Sequence, residues 1–191
     1  MGHSRHRLAA RRGGRNAVPA LTLAPSVRAL VMDDVFSWLQ DGPLAEAIRG
    51  TAYLYPVLGS LHILGIALLI GPAAAFDLRL LGLGQQKLPV TTVAGYLLPL
   101  SRFGFGIAAV TGVLMFVPGA SVMAERGSAP FKLGLLLIAG LNVLIFHRRT
   151  FRSVSDWDLG KPSPAAARTA AVVSLTSWAG VTVAGSLLAY T

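Results

Sequence analysis

The sequence contains no cysteine, which excludes disulfides, thiolate metal sites and cysteine-held iron–sulfur clusters. Charge is also scarce. Charged residues make up 13% of the chain, against roughly 25% in an ordinary soluble domain, so much of the surface that would keep a soluble protein in water is missing. There is no HExxH, no phosphate-binding P-loop, no GxSxG and no pair of carboxylates inside an apolar run. These absences remove the common hydrolase, nucleotidase and metalloprotease classes, and the expectation is a protein that is not an enzyme.

The net charge of +9 does not point to nucleic acid, because of where the charge sits. Arg5, Arg7, Arg11, Arg12, Arg15 and Arg28 precede Met32 with no acidic residue among them, which leaves eleven basic against eight acidic residues for the rest. Residues 1–31 read as a disordered basic extension or as the product of a misassigned start. Pro19, Pro25 and Arg28 interrupt the apolar core that a secretory signal would need. Residues 32–191 are expected to form one transmembrane domain.

What is present in quantity is apolar sequence, 53% of the residues. Four segments stand out: Tyr53 to Phe76, Phe103 to Val117, Phe131 to Phe146 and Ala165 to Tyr190. Lipid offers backbone groups no partner, so apolar segments of this length span as helices. The second is short, which puts Pro99 and Arg102 near its first turn, with Arg102 snorkelling to the interface. The predicted fold is an all-α, polytopic four-transmembrane-helix bundle. Before it, residues 33–50 resemble two amphipathic turns split by Gly42-Pro43, with Val35, Phe36, Trp38 and Leu39 suited to a membrane surface.

Loop charge sets the orientation. Arg79, Lys87, Arg102, Arg148, Arg149, Arg152, Lys161 and Arg168 fall on one side, and Arg49, Arg126 and Lys132 on the other. Basic loops stay in the cytoplasm. The expected location is therefore the bacterial inner membrane, with both termini outside.

Small residues recur at four-residue spacing: Ala67, Gly71 and Ala75; Gly104, Ala108 and Gly112; Gly180 and Ala184. Such ridges let helices approach closely, either within one bundle or in a homodimer. Polar residues inside apolar helices are the candidate functional groups. Counting from the outer helix ends puts His62, Thr111, Asn142 and Thr182 at depths of about 10–16 Å, one on each helix. Three readings follow: a structural layer in which His62 bonds Asn142, a small-ligand, quinone or proton site, or a b-type haem on His62. A second haem histidine would have to be His147, which the same count puts about 10 Å deeper. Asp77, Arg79, His147 and Arg148 are expected to form a charge cluster at the cytoplasmic side, with Asp77 paired to an arginine.

The stretch FSWLQDGPLAEAIRGTAYLYPVLGSLHILGIALLIGPAAAFDLRLLGL, with FGFGIAAVTGVLMF, FKLGLLLIAGLNVLIFHRR and SWAGVTVAGSLLAY, resembles a family of small bacterial integral membrane proteins of unknown function. The elements carrying it are Leu61-His62, Phe76-Asp77-Leu78-Arg79-Leu80, and Asn142 with Phe146-His147-Arg148. More distantly, the four-helix plan is similar to copper-resistance D and cytochrome-b-like membrane domains. The resemblance implies a membrane fold and carries no activity. The expected function is a structural or accessory membrane subunit, with the bilayer and a second copy or another membrane protein as partners; the alternative is a redox or ligand-binding subunit using His62 and Asn142.

Overall fold

A computed structural model describes residues 27–125 and 128–190, and all regular structure among them is helical. The α-helices are α1 (Val27–Gln40), α2 (Pro43–Gly50), α3 (Leu54–Leu80), α4 (Val90–Phe116), α5 (Ala120–Glu125), α6 (Ser128–Arg148) and α7 (Ala165–Tyr190). Short 3-10 segments cover Val117–Gly119 and Thr150–Asp156. Four helical stretches, in α3, α4, α6 and α7, are long and apolar enough to cross a membrane. Their outward faces are apolar: Ile63, Phe103 and Leu137 are 70%, 64% and 64% exposed. Such outward-facing apolar side chains suit a lipid environment.

The helices associate as two pairs, α3 with α4 and α6 with α7, joined where α3 touches α7. The α3–α4 seam is close because Gly104 brings α4 against the backbone of Gly65, Leu68 and Leu69, while Gly65 faces Ala108. Ser101 reinforces the seam by donating to the Leu69 carbonyl at 2.9 Å. The predicted ridge Gly104–Ala108–Gly112 thus works within the bundle. Ala67, Gly71 and Ala75 remain exposed, and the glycine that α3 uses is Gly65.

Some helix boundaries differ from the sequence reading. Helix α4 begins at Val90, so Pro99 and Arg102 lie inside it rather than near its first turn. Residues 90–101 carry no charge, and proline is tolerated within apolar helices whose neighbours supply compensating contacts. Arg102, a single charge, made a long helix look short. Helix α1 begins at Val27, five residues before Met32; residues 1–26 lie outside the described part of the chain.

Helices α1 and α2 cover the Val117–Gly119 end. Phe36 packs edge-on against Phe116, Arg49 donates to the carbonyls of Pro118 and Gln40, and Ser121 donates its hydroxyl to Gln40 Oε1 at 2.6 Å. Of the predicted surface residues, Trp38 is 76% exposed and Val35 is exposed, whereas Phe36 and Leu39 are only partly so.

The opposite end, bearing residues 81–89 and 149–164, is the better packed. Phe76, Leu80, Val90, Ala94, Phe146 and Trp157 share one core there. Helix α3 stops in a Schellman arrangement, with Gly82 at φ 115°. The Leu83 amide donates to Leu78 and the Gly82 amide to Arg79, a geometry that needs a left-handed residue just past the helix.

Candidate functional site

Of the four residues expected in one polar layer, the structure joins two. Nδ1 of His62 lies 2.9 Å from Oγ1 of Thr111 across the α3–α4 seam. The Thr111 hydroxyl itself donates to the Ile107 carbonyl at 2.6 Å. A hydroxyl has one hydrogen, so the chain runs from the His62 Nδ1–H through Thr111 to Ile107, and His62 Nε2 keeps its lone pair. The imidazole sits over Gly112, where a Cβ would come within 3.0 Å of Cε1.

Asn142 does not meet His62. Its amide donates to the Ala170 carbonyl at 2.9 Å, tying α6 to α7. Thr182 donates to Trp178 in its own helix at 2.9 Å. The reason is pairing and depth together. Helix α6 begins at Ser128, so counting from Phe131 set its residues too shallow. Lys132, not Asn142, is the α6 residue within electrostatic range of His62, and Asn142 lies ten residues, about 15 Å, further along. Lys132 was missed because it stands near a helix start, where lysines are ordinarily solvated. Here it is partly buried, with Nζ against Gly185 of α7.

The expected cluster of Asp77, Arg79, His147 and Arg148 does not form a network either. Residues two apart on a helix point in nearly opposite directions, so Asp77 and Arg79 cannot share one partner. Asp77 is 6% exposed and faces α7, where Ser174 is its polar neighbour; its Oδ2 has no partner. Among the described residues no arginine pairs with it. Arg79 turns to the loops and is 2% exposed. Its guanidinium donates to Leu88 at 2.5 Å, Asp158 at 3.0 Å and Gln85 at 3.4 Å, all backbone carbonyls. Asp158 completes the knot, because its carboxylate accepts from the Thr91 amide and hydroxyl, both at 2.8 Å, and so caps α4. Arg148 is exposed, and His147 Nδ1 lies 2.9 Å from the Val143 carbonyl with Phe146 and Phe151 against its ring.

The chain matches no protein-family model, no curated protein and no solved structure. Any reading of its role therefore rests on these contacts alone.

His62 and His147 do not suit one haem. His147 follows Phe146, which packs on Phe76 with ring centroids 5.9 Å apart. Phe76 is fourteen residues, about 21 Å, along α3 from His62. Two ligands of one iron must flank it at the same level.

These contacts make a double-mutant cycle decisive. His62→Leu and Thr111→Val are expected to couple by about 0.6–1.7 kcal/mol in detergent melts, as interhelical hydrogen bonds in membranes do. His62→Leu and Asn142→Leu should be additive. Coupling of the second pair, without the first, would show that His62 faces α6 instead.

Proposed function

We propose that this chain is a multi-pass protein of the bacterial inner membrane, acting as a structural or accessory subunit and not as an enzyme. The observation that carries the reading is the use of its intrahelical polar groups. Ser101, Thr111, Asn142 and Arg79 each bond across elements and join helix to helix or loop to loop. Side chains engaged in this way fix register and close approach. The exposed ridge Ala67–Gly71–Ala75 on α3 supports a second copy or another membrane protein as partner. Kinship with the small bacterial membrane family resembled in sequence belongs to the same proposal.

A second reading, a small-ligand site, is favoured by one observation. His62 Nε2 retains an acceptor lone pair, and Lys132, a donor, lies within its electrostatic range with no acidic partner among the described residues. A visible Soret band in the purified protein would favour it; a colourless protein with the coupling described above fits the accessory role.

The orientation proposed has both termini outside and residues 81–89 and 149–164 in the cytoplasm, following the basic residues Lys87, Arg148, Arg149, Arg152 and Lys161. Because the chain has no native cysteine, single cysteines report cleanly. Cysteine at the exposed positions Gln86 or Lys161 should be shielded from an impermeant thiol reagent in intact cells, whereas cysteine at Glu46 should react. The reverse labelling would invert the topology.

A further inference from the structure

Arg102 is the single charged residue of α4 and lies twelve residues inside it. It is exposed, and it makes no hydrogen bond or ion pair among the described residues. A charge on a lipid-facing helix is costly unless something partners it. Beside it runs an open groove of about 310 Å³, at the small end of ligand-site volumes. One wall is the α4 stripe Thr91, Gly95, Pro99 and Arg102, spaced to share a helix face over about 16 Å. The other wall is His147 and Phe151. His147 Nε2 is buried there without a hydrogen-bond partner.

The polarity of the groove is ordered along its length. Helical side chains lean toward the helix N-terminus, which for Arg102 is the Thr91 end of the groove. The exposed Arg148, Arg149 and Arg152 stand at that same end. The acid at the rim, Asp158, is engaged with Thr91 through both of its oxygens. Beyond Arg102 the surface turns apolar, with Phe103 and Phe105 exposed. A cation at one end, suited to an anion, and an apolar surface at the other describe a site for an amphiphile.

We propose that this groove holds an anionic phospholipid, its phosphate between Arg102 and the arginines at the end of α6 and its acyl chain along the outer face of α4. The inference rests on insertion of the four apolar helices in a bilayer, and flotation of the full chain with vesicles tests that part alone.

The test of the groove is native mass spectrometry of the full chain, released from neutral detergent after incubation with phosphatidylglycerol or phosphatidylcholine of matched chains. Phosphatidylglycerol should be retained preferentially. Arg102→Gln should lower its retention about fivefold, the effect of one basic residue at an anionic headgroup. Gly95→Leu should do the same with the arginine intact, because a Cβ at Gly95 meets nothing within 4 Å and the added side chain projects into open space. Melting curves like that of the unaltered chain show that both variants fold. Equal retention of the two lipids, unchanged retention in both variants, or displacement of the lipid by inorganic phosphate would overturn the proposal. A chain that floats with vesicles but shows no lipid preference sinks the groove and leaves membrane insertion standing.

Discussion

Gly104→Ala is expected to lower the melting temperature of the purified protein by about 6–12 °C. A Cβ at residue 104 would sit 2.4 Å from the Leu69 amide nitrogen, 2.6 Å from the Leu68 carbonyl carbon and 2.8 Å from the Gly65 oxygen. All three are backbone atoms, so no rotamer change can relieve the contact. The helices must separate, and separation also strains the Ser101–Leu69 hydrogen bond one turn away. Overpacking of a close seam costs up to about 3 kcal/mol, and each kcal/mol moves the midpoint of a chain this size by roughly 2–4 °C. Gly106→Ala is the internal control. Its Cβ would meet nothing within 4 Å, and alanine is the better helix former, so its melt should be unchanged or higher. Equal melts for the two variants would mean that the α3–α4 seam is looser than described.

The second large effect lies at Arg79. Replacement by methionine keeps much of the stem and deletes the guanidinium, leaving the Leu88 carbonyl without a donor, while those of Gln85 and Asp158 keep only the amides of Gly160 and Val90. One abandoned acceptor and two lost charge-assisted bonds cost about 2–4 kcal/mol together. The expected readout is both thermal and local. The melt falls, and Lys87, in the first of the tied loops, becomes a faster site of tryptic cleavage than in the unaltered chain. Arg79→Lys should recover less than half of the loss, because one ammonium cannot match the spread of a planar fork over three carbonyls. Full recovery by lysine would show that charge alone, and not the fork geometry, holds the loops.

The helical class and the positions of α3, α6 and α7 were legible in the sequence, because uncharged runs of such length leave few alternatives. The start of α4 was not, since a lone arginine and a proline carry the same local signal as a helix end; only packing against α3 shows that the helix continues. The small-residue ridge of α4 was read from spacing, yet its partner Gly65 was not, because glycine spacing names a face without naming what it meets. The polar residues were identified by type, and the error lay in their depth. Counting from apparent helix ends accumulates the boundary error of each helix, which carried Asn142 to the level of His62 and hid Lys132. Arg79 and Asp158 lie 79 residues apart, and nothing in local pattern announces that a buried arginine will spend its donors on loop carbonyls.

The carboxylate that caps α4 also bears on the order of assembly. Chains insert from the N-terminus during synthesis, so the α3–α4 hairpin leaves the ribosome well before Asp158, which follows Thr91 by 67 residues. Until then the first turn of α4 has exposed amides, and Arg79 lacks one of its three acceptors. The hairpin is therefore born with an unfinished end, and the last loop to be made acts as the latch that closes it. A ribosome-bound chain ending before Asp158 would present residues 81–89 open to protease, and one extended past Gly160, whose amide bonds Gln85, would present them shut.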